Sequence, residues 1–285
     1  MKIFQREYNT MTLKYIRFLI VLCSLLCLVE VSIAAPQKNL WPRWEANNPE
    51  SQQIIDHYLF QDFLSRYVIT DKNGVNLVKY KNVTAHDRAL LENYIIKLSQ
   101  VLIAQYHRTE QLAFWINLYN ALTIKIILDH YPVNSILDIN ISPGWFNKGP
   151  WDAKLITVEN EKLSLNDIEH RIIRPIWNDP LTHYALNCAS YSCPNLEKNP
   201  YTGNNLKMAL NQAASSYINS ARGVSVKNKQ LTISKIYDWY QVDFGGNEQA
   251  VMMHLEQYAS PKLKKQLLDF HKIDHYVYDW ALNEP

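Results

Sequence analysis

Apolar residues recur at helical spacing along several stretches of this 285-residue chain. Leu91, Tyr94, Ile95, Leu98, Val101 and Leu102 return every three or four positions, which predicts an amphipathic helix. Thr84-x-x-Asp87 ahead of them reads as its capping box. A second apolar helix is predicted over 110–130, closed by Pro132, and others over 53–67, 204–220, 249–258 and 261–271. Between these helices the period shortens to two. Three pairs of short β-like runs read as hairpins: 67–69 with 75–80 around Asp71-Lys72-Asn73-Gly74, 155–158 with 162–165 around Glu159-Asn160-Glu161, and 224–233 turning near Asn228-Lys229. Ser164-x-x-Asp167 caps a predicted helix to Arg174, 183–188 reads as a strand, 189–200 as a loop and 276–278 as a last strand. Helices with scattered antiparallel hairpins and no βαβ rhythm predict the α+β class, in one mixed domain. Residues 35–104 form its helical and hairpin lead-in, and 105–285 its core.

The start of the chain has another pattern. Lys14 and Arg17 precede an apolar run over 18–29, and Ser32-Ile33-Ala34-Ala35-Pro36 follows with small residues at the exit. This is the layout of a signal peptide over 1–34, cleaved near Ala34, with Met1 or Met11 as its start. The run is short against the ~20 apolar residues of a span and is broken by Glu30. The alternative is a retained N-terminal anchor. Cleavage would remove Lys2, Arg6, Lys14 and Arg17 against Glu7 and Glu30, leaving 25 of 29 cationic and 25 of 27 acidic residues. The expected protein is secreted or periplasmic, without a membrane span after signal removal, in a compartment that permits disulfides. Only Cys188 and Cys193 remain in it.

Composition narrows the function classes. Hydrophobic residues make up 47% and charged residues 20%, the balance of a globular and not of a disordered chain. A net charge of +2 offers no basic excess for nucleic acid, so no nucleic-acid partner is expected. Seven glycines form neither a phosphate cradle nor a dinucleotide fingerprint, and no cofactor is expected. The 18 Tyr and 8 Trp indicate an amphipathic interior and rim. Pro143, Gly144, Gly149 and Pro150 frame Trp145, Phe146 and Trp151 as an aromatic loop, a candidate rim over a binding pocket.

The densest polar cluster runs from His183 to Pro194 and contains Asn187, Cys188, Ser190, Ser192 and Cys193. On a strand, His183 and Asn187 share one face and Cys188 takes the other, so Cys193 beyond the turn is the freer to approach His183. A Cys–His pair supports a thiolate nucleophile, because the imidazole takes the proton and its cation holds the thiolate. Two cysteines five apart in a secreted chain also make a disulfide. A zinc site from His170, His183, Cys188 and Cys193 matches no standard ligand spacing, and no metal is expected. On the helix over 110–130, Asn117 and Asn120 share a face, where they either satisfy a neighbouring loop or orient a catalytic His. Glu169, His170 and Arg174 make a solvated ion-pair face, a carboxylate that orients a catalytic His, or a site where Arg174 clamps a substrate carboxylate.

Three of these segments carry a family resemblance. Phe114-Trp-Ile-Asn117-Leu-Tyr119-Asn120, Ile168-Glu169-His170 with Arg174, and His183-x-Ala-Leu-Asn187-Cys188-x-Ser-x-Ser192-Cys193-Pro194 together resemble the family catalogued as domain of unknown function 547. Asp238-Trp239-Tyr240, Asp243-Phe244 and Tyr278-Asp279-Trp280-Ala-Leu-Asn283 look like its later blocks. The resemblance implies no settled activity and no catalytic roles. Members that look cytosolic keep both cysteines, and some plant members look fused to glutaredoxin-like modules, which weighs toward functional thiols.

The expected activity is therefore a thiol-dependent hydrolase or acyl transferase acting on a small molecule or peptide. Cys193 or Cys188 would attack, His183 would be the base, Asn187 or Asn120 would fix the imidazole, and N–H groups over 189–193 would hold an oxyanion. Asn117, Glu169, His170, Arg174 and Trp145 would contact substrate. The alternatives are a non-catalytic binding module stapled by a Cys188–Cys193 disulfide and a thiol–disulfide redox protein.

Overall fold

In the computed structural model, which describes residues 36–144 and 148–285, the helix predicted from residue 53 begins later, as α1 (Tyr58–Tyr67). Residues 51–57 take no regular structure. The Glu110 carboxylate, from a distant helix, accepts the Ile55 N–H at 2.9 Å and the Asp56 carboxylate accepts the Tyr58 N–H at 2.9 Å, so side chains take amides that an earlier helix start would use. The predicted signal segment and Trp145 lie outside the described residues.

The hairpin β1 (Val68–Thr70) with β2 (Asn76–Val78) follows as its spacing predicts. Thr84 then caps α2 (Ala85–Ser99), its hydroxyl accepting the Asp87 N–H at 3.1 Å. Next come α3 (Arg108–His130) and the hairpin β3 (Ile156–Val158) with β4 (Glu161–Leu163), whose turn residues Glu159 and Asn160 have φ of 44° and 67°. Beyond Ser164 the chain winds as a π-helix over Asp167–Ile173 and then a single α-turn, Arg174–Trp177. After α4 (Leu206–Ile218), β5 (Val224–Lys227) and β6 (Gln230–Ser234) turn through Asn228 and Lys229, at φ 51° and 60°. The helices α5 (Glu248–Tyr258) and α6 (Pro261–Leu267) precede β7 (His275–Val277), which joins β6 in parallel. The protein is thus α+β, with one parallel pair among its antiparallel ones.

Ala35–Pro285 forms one compact unit with two hydrophobic cores. The first surrounds α3, a helix long and apolar enough to cross a membrane but sheathed here by protein. Phe60 and Leu64 from α1 and Leu91, Tyr94 and Leu98 from α2 pack in this core. The second joins Ala214 and Tyr217 of α4 to Leu231 and Ile233 of the sheet and Val251 and Leu255 of α5. The chain passes between them several times, and two of these passages flank the cysteines. Tyr184 belongs to the second core while Ala185, Leu186 and Ala189 belong to the first; near the C-terminus Tyr278 packs on the second and Trp280 and Leu282 on the first. Both cysteines follow the first of these passages, in a stretch whose buried apolar residues belong to the first core.

Candidate functional site

The strand predicted over 183–188 does not form. Pro180–Tyr184 is a 3-10 helix started by Asp179, whose carboxylate accepts the Leu181 N–H at 2.9 Å. No strand lies alongside the next residues, and side-chain amides satisfy their backbone. The Asn120 amide of α3 donates to the Ala185 carbonyl at 2.9 Å and accepts the Asn187 N–H at 2.8 Å. Asn187 in turn accepts the Ala189 N–H at 2.9 Å and donates to the Pro194 carbonyl at 2.8 Å. Ala189 sits in the left-handed region, at φ 59°, so the chain reverses right after Cys188. The C-terminal segment closes the loop from outside: Tyr191 N–H donates to the Ala281 carbonyl at 2.7 Å and Asn283 N–H to the Ala189 carbonyl at 3.0 Å. Arg222 donates to the carbonyls of Tyr191 and Cys193 at 2.9 and 2.6 Å. With no strand, the two-faced argument that favoured Cys193 lapses.

This turn brings the thiols together. Their sulfurs are 3.1 Å apart and unbonded, against about 2.05 Å for a disulfide, so the predicted staple is not present. Cys188 is the part-exposed member, and Cys193 is 3% exposed. Donors converge on Cys188. Tyr278 hydroxyl lies 3.1 Å and Ser190 hydroxyl 3.3 Å from its sulfur; the Ser190 hydroxyl gives its hydrogen to Tyr278 at 2.8 Å, which leaves the Tyr278 hydrogen and the Ser190 N–H for the sulfur. When Cys188 ionises, the hydrogen shared by the two sulfurs resides on Cys193. Hydrogen bonding from Cys193, then from Ser190 and Tyr278, pulls the Cys188 thiol down to about 7, against the burial that opposes ionisation. Burial and the neighbouring Cys188 push the Cys193 thiol up. The Cys193 sulfur meanwhile accepts the Cys188 N–H at 3.0 Å.

His183 does not join them. Its Nε2 lies 2.7 Å from Asp243 Oδ2 and its Nδ1 3.9 Å from Glu169 Oε1, in a buried cluster of charges. Asp243 Oδ2 also accepts Arg174 Nε at 2.6 Å, and Lys38 lies 2.8 Å from Oδ1. Burial opposes its ionisation, but hydrogen bonds from His183, Arg174 and Lys38 outweigh that and hold the Asp243 carboxyl far below the usual range. The π-helix sets Glu169 and His170 into this cluster and the α-turn after it sets Arg174 there, with Arg174 Nη1 2.9 Å from His170 Nδ1. Tyr119 donates to Glu169 at 3.2 Å, and the Tyr240 ring packs on His183 with centroids 4.1 Å apart. The cluster is buried, not the solvated ion-pair face that is one of its readings in the sequence.

Of the residues singled out from sequence, Cys188, Cys193, Asn187 and Asn120 meet at the thiol loop, and Glu169, His170, Arg174 and His183 at the charge cluster. The oxyanion site predicted over 189–193 has no free donors. Each N–H from Asn187 to Cys193 is engaged within the protein, that of Ser190 by the Cys188 sulfur. No three His, Cys, Asp or Glu side chains converge as metal ligands among the described residues. Asn117 stands apart, clamping Tyr201 through its carbonyl at 2.7 Å and its N–H at 3.0 Å. Tyr278, Asp243, Tyr240 and Lys38 carry no chemical signal in the sequence. Tyr278, Tyr240 and Asp243 stand out there only as members of the later motif blocks, and Ser190 only as a member of the polar cluster.

These contacts separate the two asparagines. Either Asn→Ala change leaves buried backbone groups unpaired, at about 1–3 kcal/mol, and lowers the melting temperature by roughly 2–10 °C. Only Asn120→Ala is expected also to slow alkylation of Cys188 by iodoacetamide, since Asn120 shapes the turn before that residue. Equal labelling rates in both variants would show that Asn120 serves only the fold.

Residues 103–218 match the family model described as protein of unknown function, DUF547. No curated protein and no solved structure matches the chain.

Proposed function

Through residues 103–218 the chain belongs to the DUF547 family, and from that premise we propose that its thiol loop is a dithiol redox centre that exchanges electrons with substrate disulfides. The observation that carries this reading is the 3.1 Å approach of two free sulfurs, with the donors gathered on the more exposed one. Exchange needs an ionised attacking thiol and a second thiol within reach, and neither a general base nor an oxyanion site. Hydrolysis or acyl transfer needs both. Here the imidazole of His183 is held by carboxylates and the loop amides are spent.

In the forward direction the Cys188 thiolate attacks one sulfur of a disulfide R–S–S–R. A mixed disulfide Cys188–S–S–R forms and one RS⁻ leaves, taking up a proton. Cys193 gives up its proton and attacks the Cys188 sulfur, displacing the second RS⁻. Two electrons have passed from the dithiol to the substrate, and a Cys188–Cys193 bond remains. The reverse sequence oxidises a substrate dithiol.

Treatment of the full-length protein with 2-hydroxyethyl disulfide is expected to join Cys188 to Cys193, read as the loss of two thiol hydrogens from the peptides that carry them. A Cys193→Ser variant should stop at the mixed disulfide on Cys188, and a Cys188→Ser variant should form none on Cys193. Adducts on both thiols at equal rates, or no oxidation of the wild type, would refute the proposal.

A further inference from the structure

Four aromatic side chains stand beside Cys188. Tyr278, whose hydroxyl touches the Cys188 sulfur at 3.1 Å, packs against Trp239 at 4.8 Å and Trp280 at 4.7 Å between ring centroids. Trp239 and Trp280 are 5.6 Å apart, and Trp151 continues the row 5.8 Å beyond Trp280. All four rings are only part-buried, so the row is an open wall that ends at the reactive sulfur. Its outermost member is seated on backbone. A Cβ on Gly149, at φ 78°, would lie 1.9 Å from the Trp151 ring.

The wall has a charge signature. Each part of it carries an aspartate in the adjoining position: Asp152 after Trp151, Asp238 before Trp239, and Asp279 between Tyr278 and Trp280. Asp238 and Asp279 are exposed and Asp152 part-exposed. The nearest cation bonded to the loop, Arg222, is spent on the carbonyls of Tyr191 and Cys193 and on the Asn195 side chain. A small acidic disulfide such as oxidised glutathione would meet these carboxylates with its own. An apolar or cationic side chain beside a cystine gains ring contact, cation–π attraction and the aspartates together.

Resting on the dithiol reading, we infer that the substrate is a polypeptide disulfide whose flanking residues are apolar and basic, docked along the Trp151–Trp280–Tyr278–Trp239 wall. The wall selects the substrate and the dithiol reacts with it. A small neutral disulfide reaches Cys188 without using the wall.

The test compares three oxidants on the full-length reduced protein: a short peptide disulfide with Leu and Arg beside its cysteine, oxidised glutathione, and 2-hydroxyethyl disulfide. The peptide is expected to react fastest. Trp151→Ala, at the end of the wall away from Tyr278, should slow the peptide about tenfold and leave the 2-hydroxyethyl disulfide rate unchanged, which also shows that the variant keeps a working thiol loop. Loss of rate toward both probes alike, or glutathione as fast as the peptide, would overturn the inference while leaving the dithiol reading in place. No oxidation of the wild type by any of the three would overturn both.

Discussion

The Asp243→Ala variant is expected to lose about 3–5 kcal/mol of stability, because it removes one side of a buried charge cluster and leaves the other side behind. Asp243 accepts from Arg174 and His183 through one oxygen and pairs with Lys38 through the other. The Arg174 side chain is 2% exposed, so without the carboxylate its charge has no route to water. For a unit of this size the loss corresponds to roughly 6–20 °C in melting temperature, read by calorimetry or circular dichroism. Asp243→Asn should fall between wild type and Ala, keeping an acceptor for one donor but not the charge. The paired replacement Arg174→Met with Asp243→Leu should recover much of the loss, since removing a whole ion pair is far cheaper than breaking it. A single variant that melts within a degree of wild type would mean the cluster contributes nothing to the fold.

The second large effect is loss of stability in mild acid. His57 and His254 are both held to about 4 by burial; Asp56 partly offsets this for His57, and His183 adds to it for His254. The His57 contacts show why its proton is unwelcome. The Asn117 amide, oriented by Tyr201, donates toward His57 Nε2 at 3.3 Å, and Nδ1 is paired with the Tyr94 hydroxyl at 2.7 Å. A proton on Nε2 would set two donors against each other. In the unfolded chain both imidazoles titrate near 6.5, so the unfolded state binds more protons between pH 6.5 and 4. Stability is therefore complete above 6.5, falls as pH drops through that window, and levels off below 4 for these two groups. Each costs about 2 kcal/mol by pH 5. The depressed Asp243 carboxyl adds a further loss only at lower pH, where it takes up a proton. Melting temperatures from pH 7.5 to 4.5 should fall steeply, and His57→Gln should flatten part of the slope. A profile flat across pH 5–6.5 would contradict the buried neutral state of both histidines.

Local chemistry determined much of this protein in advance. The Thr84 cap, the helical periodicity of α2 and α3 and the three hairpins follow from residues within one or two turns of each other. Asn160, Asn228 and Lys229 take positive φ in two-residue turns, a local preference readable from the sequence around them. The order of the motif blocks also points to the right loop, because Cys188, Cys193, Asn187 and Asn120 do converge.

Other features were decided by packing. Six residues at 183–188 alternate well enough for a strand, but a strand requires a neighbour to take its backbone bonds. The Asn120 amide, 65 residues earlier, takes them instead. Glu169, His170 and Arg174 read as a surface face until the π-helix is buried beneath Asp243 and Lys38. His183 adjoins two cysteines in sequence, yet its partner is Asp243, 60 positions away, and the partner of Cys188 beside Cys193 is Tyr278, 90 away. Such pairs form where the chain passes between its two cores, and the docking of those cores sets which side chains meet. Periodicity and spacing record each residue's local neighbours, so they name the reactive groups; only the closed tertiary structure determines which of them share a proton.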